Sequence, residues 1–171
     1  MTRENSKDWN VYRRNLTLRL NASKLLIGLS AKNFIAVATF IDTNILLYAI
    51  STAEEEMEKR AIARRILLRT DLAFSVQVFQ EFYVQATRSS GARVAPEVAV
   101  RFITSWTRFP VQLMTVDLMF AAFAAHRRFG ISYWDAAIIE AARSLGCSEV
   151  LTEDLQDHQN FHGLHTINPF R

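Results

Sequence analysis

The chain has 171 residues, half of them hydrophobic and 22% charged, which is enough apolar material for one core and excludes a disordered protein. Its lone cysteine, Cys147, excludes an intrachain disulfide, and no apolar run approaches the ~18–20 residues that span a bilayer, so a reducing, cytoplasmic setting without a membrane partner fits. The net charge of +3 does not itself point to nucleic acid: residues 1–38 hold seven Lys/Arg against two Asp/Glu, and the rest holds thirteen against fifteen.

Residues 1–37 carry that basic excess and show weak periodicity. The apolar patch LLIGL behind Arg19 and Lys24 has some features of a secretion signal, but Lys32 and Asn33 interrupt it and no good cleavage site follows. Two readings stay open: a basic N-terminal extension, or codons ahead of a true start at Val37. The domain is expected over residues 38–171.

The run VATFI (37–41) reads as a buried strand, and NILLYAI after it as a short helix. Residues 54–69 form an amphipathic helix, acidic at its start and basic at its end, as the helix dipole prefers. LAFSV (72–76) is a second strand. A helix over 77–90 follows, with Ser75 at its cap and Gly91 at its stop. Another helix covers 95–109, with Pro96 in its first turn. VQLMTV (111–116) is a third strand. Residues 117–129 are helical up to Gly130. A last helix covers 132–146, capped by Ser132 and stopped by Gly146. EVLT (149–152) and LHTI (164–167) complete five predicted strands. Strands alternating with helices imply crossover connections and a parallel sheet covered on both faces, an α/β domain.

Four carboxylates fall where such a sheet builds sites. Asp42 follows the first strand and Asp154 the fourth, at the carboxyl edge where ligands bind in open parallel sheets. Glu81 and Asp135 reach that edge from the early turns of their helices. Each also has a plain structural reading. Asp42 and Asp154 suit helix caps or Asx turns. Asp135 lies three residues after Ser132, the spacing of a capping box. Glu81 aligns with Gln85 and Arg88 on a solvated face. Yet Asp135 lies in YWDAAII and Glu81 in VFQEFY, both apolar surroundings, and four converging acids without nearby cations would repel one another. A divalent ion would resolve that, and hard oxygen ligands suit Mg²⁺ or Mn²⁺.

At FIDTNILLYA, SVQVFQEFY, ISYWDAAIIEAA, LTEDLQD and INPF the sequence resembles the PIN-domain nucleases of the VapC toxin type, over about residues 39–170. The resemblance implies a three-layer α/β/α fold around a parallel sheet. It maps the family's acidic quartet onto Asp42, Glu81, Asp135 and Asp154, with Thr152 and Asn44 supporting the acids and Asp157 as a further acid. It implies Mg²⁺- or Mn²⁺-dependent cleavage of RNA to 5′-phosphate and 3′-hydroxyl ends, with the ion held by Asp42, Asp135 and Asp154 and assisted by Glu81. It also implies a toxin with a cognate antitoxin and a homodimeric state. Two rivals remain: a PIN nuclease with a housekeeping role in RNA processing, and a catalytically inert binding module acting with a DNA-binding partner.

Other features have weaker readings. His158, His162 and His165 are spaced like zinc ligands but lack cysteine partners, and a solvated loop is the alternative. Arg88, Arg93, Arg127 and Arg128 are candidates for RNA phosphates or plain surface charge. Trp106, Trp134 and most phenylalanines are expected in the core.

Overall fold

A computed structural model describes residues 38–88 and 94–171 of the chain. The N-terminal segment, Val37, Gly91 and Arg93 therefore lie outside the described residues. Strand β1 spans Thr39–Ile41 and runs into helix α1, Thr43–Ile50. Helix α2 (Met57–Ile66) follows, then β2 (Leu72–Ser75), α3 (Val76–Ala86) and α4 (Pro96–Trp106). The chain continues through β3 (Val111–Gln112), α5 (Val116–Phe129), α6 (Tyr133–Ser144) and β4 (Glu149–Leu151). A hairpin of β5 (Asn160–Phe161) and β6 (Leu164–Ile167) closes it.

The strands form one sheet in the order β3-β2-β1-β4-β6-β5. Every neighbouring pair is parallel except β5 with β6. The expected three-layer α/β/α fold with its central parallel sheet is therefore the one observed. Sequence reading missed β5, because two residues carry no periodicity. Its turn is legible in retrospect: His162 (φ 55°) and Gly163 (φ 93°) both take the left-handed backbone that two-residue hairpins demand. The third strand is also shorter than expected, since Thr115 caps α5 by accepting from the Leu118 N–H and so draws the helix start forward.

The central strands explain their sequences. Phe40, Phe74 and Val150 are wholly buried from neighbouring strands, so β1, β2 and β4 read as apolar runs rather than alternations. Trp106 closes one side of this core, stacked on Phe74 and edge-on to Phe82. Ser75 and Ser132 cap α3 and α6, accepting from the N–H groups of Val78 and Asp135. Gly130 ends α5 in the left-handed region at φ 66°, which spares a side chain the strain of that conformation. Helix α5 packs chiefly on α6, while α1 packs on α2 and α3. Among the described residues, no helix is long and apolar enough to cross a membrane.

Candidate active site

At the carboxyl ends of β1 and β4 the sheet opens into a cleft of about 260 Å³. All four predicted acids, Asp42, Glu81, Asp135 and Asp154, line it, with Asn44 between them in the chain's fold. Glu56 and Glu153 line it too, which makes six carboxylates, and the lining contains no Lys or Arg.

Asp42 is the last residue before α1 and is 6% exposed. Its Oδ1 accepts from the Thr43 N–H at 2.6 Å, so it also serves the helix start as the structural reading expected. Its Oδ2 accepts from the Thr152 hydroxyl at 2.7 Å. That hydroxyl, fully buried at the end of β4, also accepts from the backbone N–H of Asp154 at 3.1 Å. One threonine thus fixes the side chain of one acid and the backbone of another. Asn44 joins the same group. Its Nδ2 lies 3.2 Å from Asp42 Oδ2, 3.2 Å from Thr152 Oγ1 and 3.1 Å from Asp154 Oδ2. Its carbonyl Oδ1 is buried and has no hydrogen-bond partner among the described residues.

The other two acids are held locally. Asp135 is half-buried in the first turn of α6, where its Oδ2 accepts from the Ser132 hydroxyl at 2.7 Å. The same hydroxyl accepts from the Asp135 N–H at 3.1 Å, so the Ser132 cap is real, but Asp135 takes up the capping hydroxyl rather than the Ser132 N–H that a capping box would use. Glu81 is exposed on α3, accepting from Thr43 Oγ1 at 2.9 Å and from Gln85 Nε2 at 3.0 Å. Asp157 lies away from this group. It does not line the cleft, and its Oδ1 accepts from the Asn168 N–H at 2.8 Å, pinning the C-terminal turn.

The electrostatics follow from burial and like charge. Asp42 is pushed up to about 7, first by burial, with Asp154 and Glu81 adding repulsion and the bonds from Thr152 and Thr43 opposing it. Glu153 differs: Lys59 Nζ meets its Oε2 at 2.5 Å, Tyr48 donates to its Oε1, and Lys59 also donates to the Tyr48 hydroxyl at 2.9 Å. That cluster reaches the C-terminus, where Phe170 stands edge-on to Tyr48 at 5.0 Å. The pairing joins residues 94 apart, so no local signal in the sequence pointed to it.

These residues suit a hard divalent ion by donor chemistry. The donors are carboxylate oxygens, and no Lys or Arg lines the cleft to answer their charge. No three His, Cys, Asp or Glu among the described residues stand together as a ready-made metal-binding group. Mg²⁺ tolerates this, because it commonly keeps several waters and binds through only one or two carboxylates plus phosphate. The three C-terminal histidines are exposed.

Two side chains were misread or missed. Trp134, expected in the core, is exposed at the rim of the cleft, whereas Trp106 is buried as expected. Gln77 is buried beside the cleft and donates to the Trp134 carbonyl at 3.3 Å. Both lie in the motifs that carry the acids, and that proximity was the available signal.

Comparison with known proteins agrees with this fold. The family model of the PIN domain matches residues 39–160. No curated protein sequence matches the chain. A toxin–antitoxin complex from Klebsiella pneumoniae superposes with a TM-score of 0.58 at 19% identity, covering 77% of this chain and 98% of that one. The toxin VapC20 of Mycobacterium tuberculosis, described as cleaving the sarcin–ricin loop, gives 0.56 at 22% identity, covering 68% and 92%. The DNA-bound VapBC complex of Salmonella typhimurium gives 0.51 at 21% identity, covering 76% and 96%. At these identities the likeness speaks for the fold.

Proposed function

The chain belongs to the PIN-domain family, and from that premise we propose that it is a divalent-metal-dependent endoribonuclease and the toxin of a toxin–antitoxin pair. One observation carries the reading: Asp42, Glu81, Asp135 and Asp154 line a single cleft at the carboxyl edge of the sheet, and nothing cationic lines it with them. We assign the activity to residues 38–171 and treat 1–37 as a basic extension ahead of them.

Asp42, Asp135 and Asp154 would hold Mg²⁺ or Mn²⁺, with Glu81 at the edge of the ion's water shell. When bound, such an ion supplies an acidified water and charge to offset the phosphoryl oxygens during in-line displacement. The chain's own residues do the positioning. Thr152 and Asn44 hold Asp42 and Asp154 at one place. Ser132 turns the Asp135 carboxylate, and Thr43 with Gln85 fixes Glu81. Donors that lock a carboxylate's rotamer keep its lone pairs aimed at one site, which lowers the reorganisation needed on binding. The products are 5′-phosphate and 3′-hydroxyl ends.

The solved neighbours include complexes of toxins with antitoxins, and this supports a cognate antitoxin as partner here. A homodimeric toxin in the cytoplasm completes the proposal. The housekeeping reading differs only in partner: it predicts no antitoxin and no growth arrest on expression.

The test is to incubate the purified chain with a mixed RNA pool in Mg²⁺, Mn²⁺ or EDTA, beside Asp154→Asn. Metal-dependent cutting that leaves 5′-phosphate ends and vanishes in the variant is expected. Folded protein that cuts nothing with either ion would leave the inert binding module as the better account.

A further inference from the structure

An indole stands in solvent at the mouth of the acidic cleft. Trp134 is 65% exposed, lines the cleft and directly precedes Asp135. Its position is held twice. The buried Gln77 amide donates to its backbone carbonyl at 3.3 Å. Its ring leans on Tyr133 with centroids 5.2 Å apart and planes at 69°. Tyr133 meets Phe123 at 5.1 Å, and Phe123 meets Phe120 at 6.1 Å. Phe120 and Phe123 are themselves exposed on α5. A row of rings therefore runs over the surface and ends at the candidate site.

Exposed aromatic surface forgoes the stabilisation that burial would give. The row adds little to the core, and its continuity with the cleft points to the cleft's occupant. The lining carries six carboxylates and no Lys or Arg, so it offers a polyanion no basic side chain. Beyond the one phosphate a bound ion would meet, a strand of RNA must be gripped there by something other than basic side chains. Stacking of bases on aromatic rings meets that need, because every base has a π-face and the contact is indifferent to phosphate charge.

We propose that Trp134 stacks on the nucleobase beside the scissile phosphate, and that Phe123 and Phe120 extend this platform along the strand. The inference rests on the ribonuclease reading above. Stacking on a ring adjacent to Asp135 sets the register of the strand, so the phosphate next to the stacked base is the one presented to the acids.

The test uses the full chain carrying Asp154→Asn, to bind without cutting, and a labelled single-stranded RNA of mixed sequence. Tryptophan emission and RNA anisotropy are read together. RNA is expected to quench emission, and Trp134→Phe to remove that quenching while keeping affinity within about threefold. Trp134→Ala should weaken Kd about tenfold. In the active chain, Trp134→Ala should raise KM more than it lowers kcat. RNA that binds without any quenching traceable to Trp134, or with equal affinity for the Ala variant, overturns the proposal. So does a Trp134→Ala variant that only turns a dimer into a monomer in sedimentation, since the ring then covers a second copy. A chain that cuts RNA yet shows no Trp134 effect sinks this inference alone. A chain that neither binds nor cuts RNA sinks the ribonuclease reading with it.

Discussion

The two ends of the same sheet treat acids in opposite ways. At the amino end, Asp71 precedes β2 and Glu149 opens β4, and Arg69 answers both. Its Nη2 lies 2.6 Å from Asp71 Oδ2 and 3.5 Å from Glu149 Oε1, and it donates to Thr39 Oγ1 at 2.6 Å. The Asp71 carboxyl is accordingly held below its ordinary range by its hydrogen bond with Arg69. At the carboxyl end the donors are neutral: Asp42 accepts from the Thr152 hydroxyl, the Asn44 amide and the Thr43 N–H, Asp154 accepts from the Asn44 amide, and Asp42 is pushed up to about 7. An acid that serves the fold comes with its counterion built in. An acid left short of one, beside a cleft, is arranged for a cation from outside.

The sharpest way to break this contrast is to neutralise an acid at the carboxyl end. Asp154→Asn should lower RNA cleavage on the order of a thousandfold, by analogy with lost charge-stabilising groups. Because Asp154 is exposed, the melting temperature should stay within a degree or two of the parent. Comparable losses of activity and stability would mean that the carboxylate serves the fold.

The two ends should also respond to pH with opposite sign in EDTA. Asp42 has a folded-state value raised above its unfolded 3.8, so its stabilising contribution is complete below about 3.8 and is lost as pH rises through about 7. The loss is a few kcal/mol, about 4 at most. Asp71 is depressed, so its contribution is present above 3.8 and is lost only as pH falls below that value, and solvent screening keeps it under about 1 kcal/mol. Urea melts at pH 5 and pH 8 measure the first effect. Added Mg²⁺ should flatten the difference; a protein equally stable at both pH values in EDTA would show that Asp42 ionises without strain.

Thr152→Val tests the hub between two acids. Removing the hydroxyl leaves Asp42 Oδ2 short of a donor at a buried position. A cost of about 1–3 kcal/mol and a drop of about 10–100-fold in activity are expected from denaturant melts and initial rates. The smallest effect belongs to the amino end. Arg69→Met should cost at most about 1 kcal/mol, since Arg69 is partly exposed, and cleavage should be unchanged.

How much of this was readable in the sequence depended on range. The cap at Ser132 and its bond with Asp135 were legible, because three residues of spacing dictate them. The four acids were legible as a set only once the strand and helix order placed them at one edge. Asn44 and Thr152 entered through family resemblance, and their hydrogen bonds join the segments that follow β1 and β4 across more than a hundred residues. No period or motif encodes such a contact. The Lys59–Glu153 pair escaped for the same reason. Trp134 was misassigned because hydrophobicity predicts burial only on average, and exposed rings are where that average fails. Strand β5 escaped because its partner, rather than its sequence, makes it a strand.

That short strand has a consequence for self-association. The sheet is bounded by β3 on one side and β5 on the other, and each is two residues long. A foreign strand docking at either border would find room for one or two backbone bonds before the ladder ran out. Runaway polymerisation by strand addition is thereby starved of template, without a single charged gatekeeper. A partner of the described residues is thus left the side chains, on helix surfaces or in the cleft, where shape and chemistry can be selective.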